Sequence, residues 1–391
     1  MNSKSKIRRY DLDWLRVLAI FSVFIYHTTR FFNSEYWIVK NPTSNFIMDI
    51  LETVMANWTI ALIFVISGAS LYFALGKGTV REFIKDKILR LVVPMVSMGM
   101  VCFGVIQIYL DRLTHAEYDG TFLDFIPQYF QPSNFAWTGV HLWYLGMLFL
   151  FCIVFLPILL LLKNNPGRTI MERLGDLLSS RWKIYLLALP TVLCLVLTDG
   201  ASFLGNTDWG GGSILSHATF FLSGFLIISH KGLQTNIQRH RKQSLYLLVI
   251  LFFIIFSFFM IFGESSTGKL INTVGRALWG FWSWSWVLAI LGYGMEHLQF
   301  NKRFRSYANE AVLPFYILHH PVLLLVGYFV VQWSLPIVLK FILIDIFSFT
   351  IIMILYEFIV RRFKPLRFLF GMKLLTRSIQ SNTQEVQVIN M

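Results

Sequence analysis

The fold is decided by the stretch Tyr10-Asp-Leu-Asp-Trp-Leu-Arg-Val-Leu-Ala-Ile-Phe-Ser-Val-Phe-Ile-Tyr-His-Thr-Thr-Arg30. Most of this stretch is apolar enough for a membrane helix, yet it carries Arg16 and His27. On a helix, the spacing of these two residues places them within about 20° of one face and about 16 Å apart along the axis. The stretch therefore predicts a membrane helix with two ionisable side chains on one face, at two depths.

The composition indicates that this helix is one of many. The chain has 391 residues, of which 56% are apolar and only 14% charged, with 38 Phe and 12 Trp. This is too apolar for an ordinary soluble domain. Apolar runs near the roughly 20 residues that cross a bilayer recur along the whole chain. The sequence thus predicts an all-α, polytopic bundle of ten transmembrane helices. We expect them at about residues 14–32, 54–75, 88–110, 140–162, 183–198, 213–229, 244–262, 272–294, 311–331 and 336–359.

The positions of the charged residues predict the orientation of the bundle. Most of the 34 Lys and Arg residues lie in the N-terminal segment up to Arg16, in the tail and in the connections on one side. The exceptions are Arg30, Lys40, Arg112, Lys269, Arg276 and Lys340. Cytoplasmic connections collect basic residues, so both termini are expected inside the cell. The net charge of +13 then indicates contact with the inner leaflet of the bilayer rather than with nucleic acid.

The sequence predicts a single membrane domain over residues 1–377 and a disordered polar tail over residues 378–391. The basic N-terminus imitates a signal peptide, but Asp11, Asp13 and Arg16 interrupt its apolar run and no small-residue cleavage site follows. We therefore expect this run to stay as the first span. No group of His, Cys, Asp or Glu has the spacing of metal ligands, so no metal and no bound cofactor are expected.

Ionisable side chains inside a membrane segment cost several kcal/mol unless they are paired or solvated, so Arg16 and His27 are candidate functional residues. Arginine stays protonated and suits phosphate or carboxylate binding. Histidine, with an ordinary pKa of about 6.5, suits a general base. A structural interpretation is about equally good at this point: Arg16 would cap carbonyl groups or pair with Asp13, and His27 would hydrogen-bond to a neighbouring helix.

The same stretch resembles the first-helix pattern of the acyltransferase 3 family, in Asp13-Trp-Leu-Arg16 followed by ten residues and His27. Later stretches resemble further motifs of that family in the same order. They are Phe64-Val-Ile-Ser-Gly68, Lys87-Ile-Leu-Arg90 with Pro94, His141-Leu-Trp-Tyr-Leu145, and Tyr316-Ile-Leu-His319-His-Pro321. The resemblance extends over about residues 10–360. The chain departs from the pattern at Ala69 and Ser70, which replace the bulky residues common after Ser-Gly.

The resemblance implies a multi-pass enzyme of the cytoplasmic membrane. Such an enzyme transfers an acyl group, often acetyl and sometimes succinyl, from cytoplasmic acyl-coenzyme A to a hydroxyl of an extracytoplasmic glycan or glycolipid. On this hypothesis Lys87, Arg90 and Arg16 hold the phosphates of the donor. Asp13 orients Arg16, and His27 removes the proton of the acceptor hydroxyl.

Several other residues are weaker candidates. Ser67 could be a nucleophile that carries the acyl group, but a Ser-Gly pair in a membrane helix more often marks close packing. His141, Trp143 and Tyr144 could line the donor or acceptor channel, or could belong to an interfacial aromatic belt. The sequence alone leaves these alternatives open.

The second half of the chain adds two candidates. His319 lies inside a predicted span, just before Pro321, which frees a backbone carbonyl. Glu310 begins the same span on the cytoplasmic side and suits the donor end or a structural role. Two other classes of function compete with the enzyme: a transporter or flippase for a glycan or glycolipid intermediate, and a non-catalytic scaffold.

Overall fold

The structure is a computed structural model that describes residues 9–76, 78–198, 202–206, 209–210, 212–263 and 268–373. Every regular element within these ranges is helical. The chain divides into two compact units, which are described separately below. Unit 1 comprises residues 1–34, 45–83 and 150–309, and unit 2 comprises residues 35–44, 84–149 and 310–391. The predicted polar tail at 378–391 lies outside the described residues.

The helices follow one another with short connections. In chain order they are α1 (Tyr10–Thr29), α2 (Phe46–Ala74), α3 (Val80–Thr114), α4 (Phe122–Tyr129), α5 (Trp143–Val154), α6 (Leu156–Lys163), α7 (Gly167–Leu178), α8 (Arg181–Leu197), α9 (Ile214–Ser229), α10 (Lys231–Arg239), α11 (Arg241–Phe262), α12 (Lys269–His297), α13 (Arg303–Val330), α14 (Ile337–Val360) and α15 (Lys364–Leu369). Parts of α3 and α14 are π-helical, α8 begins as a 3₁₀ helix, and a 3₁₀ turn at Val140–Leu142 precedes α5.

Several of these helices can cross a membrane. Among the described residues, five are long and apolar enough: α2, α3, α11, α13 and α14. The number rises to seven if α5 with α6, bent by 53°, and α7 with α8, bent by 118°, each form one span. Helix α9 is apolar but has only 16 residues. Each of the ten predicted spans coincides with a helix or a bent pair of helices. The predicted spans 14–32 and 272–294 correspond to α1 and α12. The chain is therefore an all-helical, multi-pass membrane protein.

In unit 1, α2 and α9 pack with their backbones in contact. A Cβ atom on Gly68 would overlap the carbonyl oxygen of Phe221, and a Cβ atom on Gly224 would overlap that of Val65. Glycine at both positions is what allows this approach, as small residues do in membrane helix pairs. In the most apolar stretch of α2, 61% of the residues are buried, against 17% in α11. Helix α2 is therefore interior, whereas α11 presents an apolar face suited to lipid.

Helix α1 is fixed to the rest of unit 1 at both ends. Leu12 forms an apolar cluster with Ala69 of α2 and Ile228 of α9. At the other end, the Nη1 atom of Arg30 lies 3.3 Å from Oε1 of Glu52 on α2, and both side chains are largely buried. A buried ion pair that loses one partner leaves an unpaired charge, so this pair holds the C-terminal end of α1 in place.

Unit 2 contains α4, α14, α15 and most of α3, α5 and α13. Tyr129 of α4 is fully buried in a cluster with Val105 and Phe125. The segment 35–44 is tied to this unit by Tyr36, whose hydroxyl donates to Oδ1 of Asp111 at 2.5 Å. Although the Tyr36 ring is exposed, partial desolvation of its hydroxyl, and then this bond to a carboxylate, raise the pKa of Tyr36 well above its ordinary value. Lys340 holds the same segment from α14, since its Nζ atom donates to Oδ1 of Asn41 at 2.8 Å.

Candidate functional site

Arg16 of α1 is positioned by a serine of α2. Its Nη2 atom donates to Oγ of Ser70 at 2.6 Å, and the Ser70 hydroxyl in turn donates to the carbonyl of Ile66 at 2.7 Å. About a third of the Arg16 side chain stays exposed, at 35%. The guanidinium is thus fixed at one nitrogen while part of its surface is open, an arrangement that suits the binding of a phosphate or carboxylate. Ser70, which departs from the family pattern, is the residue that supports Arg16.

Asp13 lies closer to Arg305 than to Arg16. The Nη1 atom of Arg305, at the start of α13, is hydrogen-bonded to Oδ2 of Asp13. Nη1 of Arg16 lies 4.0 Å from the other carboxylate oxygen, at the limit of an ion pair. Arg305 also donates to Asn301 at 2.9 Å and lies 4.6 Å from the centre of the Tyr10 ring. Asp13 therefore stands between two arginines, and the prediction that it orients Arg16 stays a prediction.

His27 lies in the last turn of α1 and is half-buried. Its ring meets the edge of the Tyr26 ring, with centroids 5.0 Å apart. The two threonines that follow are fully buried and turn their hydroxyls to carbonyls of the same helix, Thr28 to Phe24 and Thr29 to Tyr26. Together with the Arg30 ion pair, these contacts order the turn that carries His27. Its role as a general base remains a prediction.

Ser67 is next to the closest backbone contact of unit 1. Its neighbour Gly68 touches the carbonyl of Phe221 on α9, as described above. Close packing thus accounts for the glycine of the Ser-Gly pair. A nucleophilic Ser67 remains the open alternative.

Unit 2 holds three buried histidines, of which the sequence analysis singled out two. The rings of His141 and His320 are stacked with centroids 4.8 Å apart, and His319 meets His141 edge-on at 5.3 Å. All three are almost fully buried, with exposed fractions of 6%, 2% and 1% for His141, His320 and His319. Within the described residues, no group of His, Cys, Asp or Glu has the geometry of a metal site. His320 was missed because its neighbour His319 occupies the family motif.

A proline explains why His141 lies where it does. Pro321 has no N–H, so the carbonyl of residue 317, four positions earlier on α13, loses its helical donor. The Nε2 atom of His141 donates to this Ile317 carbonyl at 3.1 Å. On the other side of the ring, Nδ1 lies 3.1 Å from Oε1 of Gln107 on α3. His141 thus satisfies the carbonyl that Pro321 frees and links α3 to α13.

We call His141, His319 and His320 the histidine cluster. Tyr144 and Tyr316 pack beside it. Nδ1 of His319 donates to the carbonyl of Tyr316 at 2.5 Å, and the Tyr316 hydroxyl donates to the carbonyl of His141 at 2.5 Å. The Tyr144 ring packs edge-on against Tyr316 at 6.0 Å, and Trp143 packs edge-on against Tyr144 at 6.4 Å. Four of the predicted residues of this unit do come together: His141, Trp143, Tyr144 and His319.

The predicted basic and acidic residues of unit 2 lie about two to three turns after the start of their helices. Arg90 forms an exposed ion pair along α3 with Asp86, at 2.9 Å, and Lys87 lies one turn before it, where the helix becomes π-helical. Glu310 accepts a hydrogen bond at 3.0 Å from Nη2 of the buried Arg367 on α15. That contact favours the structural role among the two that the sequence left open for Glu310.

Comparison with known proteins supports the resemblance carried by these residues. A family model described as "Acyltransferase domain" matches residues 9–357. Proteins named "Glucans biosynthesis protein C" from Salmonella paratyphi A, Salmonella agona and Salmonella enteritidis are 22% identical to the chain over 390 residues, covering 95% of it and 97% of each relative. No solved structure matches the chain. The model match covers most of the sequence, so the chain belongs to the acyltransferase 3 family.

Proposed function

We propose that this protein is an O-acyltransferase of the cytoplasmic membrane. It moves an acyl group, acetyl or succinyl, from cytoplasmic acyl-coenzyme A to a hydroxyl of an extracytoplasmic glycan or glycolipid. The relatives named for glucan biosynthesis favour a glucan as the acceptor. In this account the helices form ten spans and both termini lie in the cytoplasm, as the distribution of Lys and Arg favours.

The observation that carries the proposal is the arrangement along α1. Arg16 is held by Ser70 with about a third of its side chain exposed, and His27 lies eleven residues further along the same helix. A helix rises about 1.5 Å per residue, so these two groups are about 16 Å apart along the axis. This separation suits an extended donor whose phosphates are bound at Arg16 and whose thioester reaches His27.

The chemistry follows from a base next to a thioester. His27 accepts the proton of the acceptor hydroxyl, and the acceptor oxygen attacks the carbonyl carbon of the thioester. A C–O ester bond forms as the C–S bond breaks, and coenzyme A leaves as a thiolate that takes the proton back from His27. The transfer is balanced without any further reactant, and His27 ends in the form in which it began.

The remaining candidates take supporting roles in this proposal. In unit 1, Asp13 limits the movement of Arg16, because its carboxylate is itself anchored by Arg305. In unit 2, Lys87 and Arg90 offer positive charge to phosphates. The histidine cluster with Trp143 and Tyr144 shapes that unit by holding the start of α5 against α13.

The test is acyl transfer by the purified protein in proteoliposomes. Labelled acetyl-coenzyme A is supplied on one side and a soluble gluco-oligosaccharide on the other, and labelled ester on the sugar is measured. We expect label on the sugar, in amounts that match the free coenzyme A released. Movement of sugar across the bilayer without consumption of acetyl-coenzyme A or succinyl-coenzyme A would instead identify a transporter and overturn the proposal.

The Ser67→Ala variant distinguishes direct transfer of the acyl group from a route through an acyl-serine intermediate. Direct transfer with His27 as the base predicts that this variant keeps its activity, because Ser67 forms no bond with the acyl group. An acyl-serine trapped by rapid quenching, and lost in Ser67→Ala, would contradict the direct route.

A further inference from the structure

A pocket in unit 1 lies apart from the candidate residues of α1. It is formed by α2, α8, α9 and α12 together with Gly210 and Gly212, which precede α9. Its empty space, mouth included, is about 290 Å³. The free space between the side chains has room for one small group such as a hydroxyl.

Asn57 of α2 gives this pocket an unsatisfied acceptor. The residue is buried, with 3% of its surface exposed, and its Nδ2 atom donates to the carbonyl of Trp279 at 3.3 Å. Its Oδ1 atom is buried as well, and no group among the described residues donates to it. A buried amide oxygen without a donor costs about 1–3 kcal/mol, so a ligand that supplies an O–H or N–H would recover that energy.

Two serines of the lining also present acceptors. Ser283 donates its hydroxyl to the carbonyl of Trp279 at 3.1 Å, and Ser216 donates its hydroxyl to that of Ser213 at 2.8 Å. Their hydrogens are directed to the backbone, so their lone pairs are what a ligand would meet. Among the described residues that line the pocket, none is Asp, Glu, Lys or Arg. This described part of the lining offers hydroxyl and amide acceptors, which suit a ligand with hydroxyl donors.

His217 is another residue of the pocket lining. Its Nε2 atom donates to the carbonyl of Trp209 at 2.7 Å. A Cβ atom on Gly212 would lie 2.6 Å from Cε1 of His217, so glycine at this position allows the close approach to the ring. Apolar walls are supplied by the rings of Phe220 and Trp279.

We propose that this pocket binds a sugar residue of the acceptor, with a glycosyl hydroxyl donating to Oδ1 of Asn57. The inference rests on the proposed function and deepens it by naming where the carbohydrate is held. Aromatic walls beside uncharged hydrogen-bonding groups are suited to a sugar, which has apolar C–H faces and hydroxyl edges. Under the predicted orientation this end of unit 1 faces the outside of the cell, where the acceptor is expected.

The chain offers a matched pair of variants. Ser283 and Ser285 are both buried serines of α12, and each donates to a carbonyl four residues earlier in its own helix. Only Ser283 lines the pocket. We expect Ser283→Ala to weaken sugar binding about fivefold, whereas Ser285→Ala leaves it unchanged. Asn57→Leu, which keeps the branch at Cγ and removes both polar atoms, should weaken it at least about tenfold.

Binding is measured by calorimetry on the full chain in nanodiscs, without acyl-coenzyme A, by titration of a soluble gluco-oligosaccharide. Nanodiscs are needed because maltoside detergents themselves carry glucose units. A second arm places a glucosyl diacylglycerol in the nanodisc, and competition by the soluble sugar tells a free acceptor from a lipid-linked one. The inference is supported by saturable binding in which the unsubstituted protein and Ser285→Ala bind the sugar most tightly, Ser283→Ala binds it more weakly and Asn57→Leu binds it most weakly. Absence of binding in both arms, or equal binding by Ser283→Ala and Ser285→Ala, would overturn it.

The titration and the acyl-transfer assay together separate this inference from the proposed function. If the unsubstituted protein binds the sugar but transfers no acyl group, the sugar pocket is supported and the proposed enzyme activity is wrong. If Ser283→Ala and Asn57→Leu transfer acyl groups with the KM for the sugar of the unsubstituted protein, the sugar pocket is wrong and the enzyme activity is supported.

Discussion

The polar residues of α1 in unit 1 and the histidine cluster of unit 2 differ in how they are stabilised among apolar helices. Arg16 is bonded to a side chain of a neighbouring helix and keeps about a third of its surface exposed, and His27 is only half-buried. His141 and His319 are buried and donate to backbone carbonyls, one of which a proline has freed. The difference separates groups that a substrate can reach from groups that the fold itself uses.

A buried polar group needs a hydrogen-bond partner in both regions, but the kind of partner differs between them. Backbone carbonyls are fixed, neutral and present in every helix, so they suit a structural histidine. The Arg16 guanidinium is held by the Ser70 hydroxyl and keeps about a third of its side chain exposed, which suits a group that meets a ligand. We propose that α1 carries the reaction and that the histidine cluster contributes to stability.

The largest effect is expected from His27→Ala. Loss of a general base lowers kcat by about 10²–10⁴-fold, so acyl transfer should be nearly abolished while the amount of folded protein stays the same. His297→Ala is the matched control, because His297 is exposed at the end of α12. A kcat for His27→Ala within tenfold of the unsubstituted enzyme would break the distinction between the two regions.

Arg16→Gln comes next. A charge-assisted hydrogen bond contributes about 1.5–3 kcal/mol, so the KM for acyl-coenzyme A should rise about 10–100-fold with a smaller change in kcat. Arg30→Gln, at the other end of α1, should lower stability through Glu52 and leave that KM unchanged. Steady-state kinetics with varied donor distinguish the two. An equal rise of the KM in both variants would speak against a donor site at Arg16.

His141→Leu should affect stability rather than chemistry. The substitution leaves the Ile317 carbonyl without its donor, at a cost of about 2 kcal/mol in the free energy of unfolding. In the Pro321→Ala background an amide N–H is restored to the helix, and we expect the same substitution to cost about 1 kcal/mol less. Reversible unfolding in SDS measures this cycle. A loss of kcat per folded molecule comparable to that of His27→Ala would place His141 in the reaction instead.

Ser70→Ala gives the smallest effect. The variant removes one neutral partner of Arg16 and leaves the guanidinium itself, so the KM for acyl-coenzyme A should rise about threefold. Ser22→Ala is the control on α1, since the Ser22 hydroxyl donates to the carbonyl of Leu18 in the same helix at 2.9 Å. An unchanged KM in Ser70→Ala would mean that the 2.6 Å contact does not position Arg16.

The sequence was sufficient to place the apolar helices, because each apolar segment is a local property of about 20 residues. It did not predict the short helices α4, α7, α10 and α15, and five to seven of the ten expected spans are supported among the described residues. The sequence also identified α1 as the place of two ionisable groups. The partners of these groups were beyond its reach, since they come from distant parts of the chain. Arg305 is 292 positions from Asp13, and Ile317 is 176 positions from His141. Only Pro321 gave a local signal, because a proline in a helix always frees a carbonyl four residues earlier.

Ser70 shows how a departure from a family pattern can be informative. By pattern alone it replaced a bulky residue and put the resemblance in doubt at that position. In the structure its small hydroxyl accepts the hydrogen bond of Arg16, a contact that a bulky apolar side chain could not make. Asn57 and His217 gave no signal in sequence, because neither lies in a motif and the pocket that they line joins four separate helices.

Chemical rescue of His27→Ala tests the central claim most directly. Imidazole is added to proteoliposomes that contain this variant, with protein-free liposomes as the control for uncatalysed transfer, and acyl transfer to the gluco-oligosaccharide is followed. If His27 is the base, the rate should rise with imidazole concentration, and imidazole should leave His141→Leu unaffected. A rate that stays at the level of the variant at every imidazole concentration, or that rises equally without protein, would contradict the account.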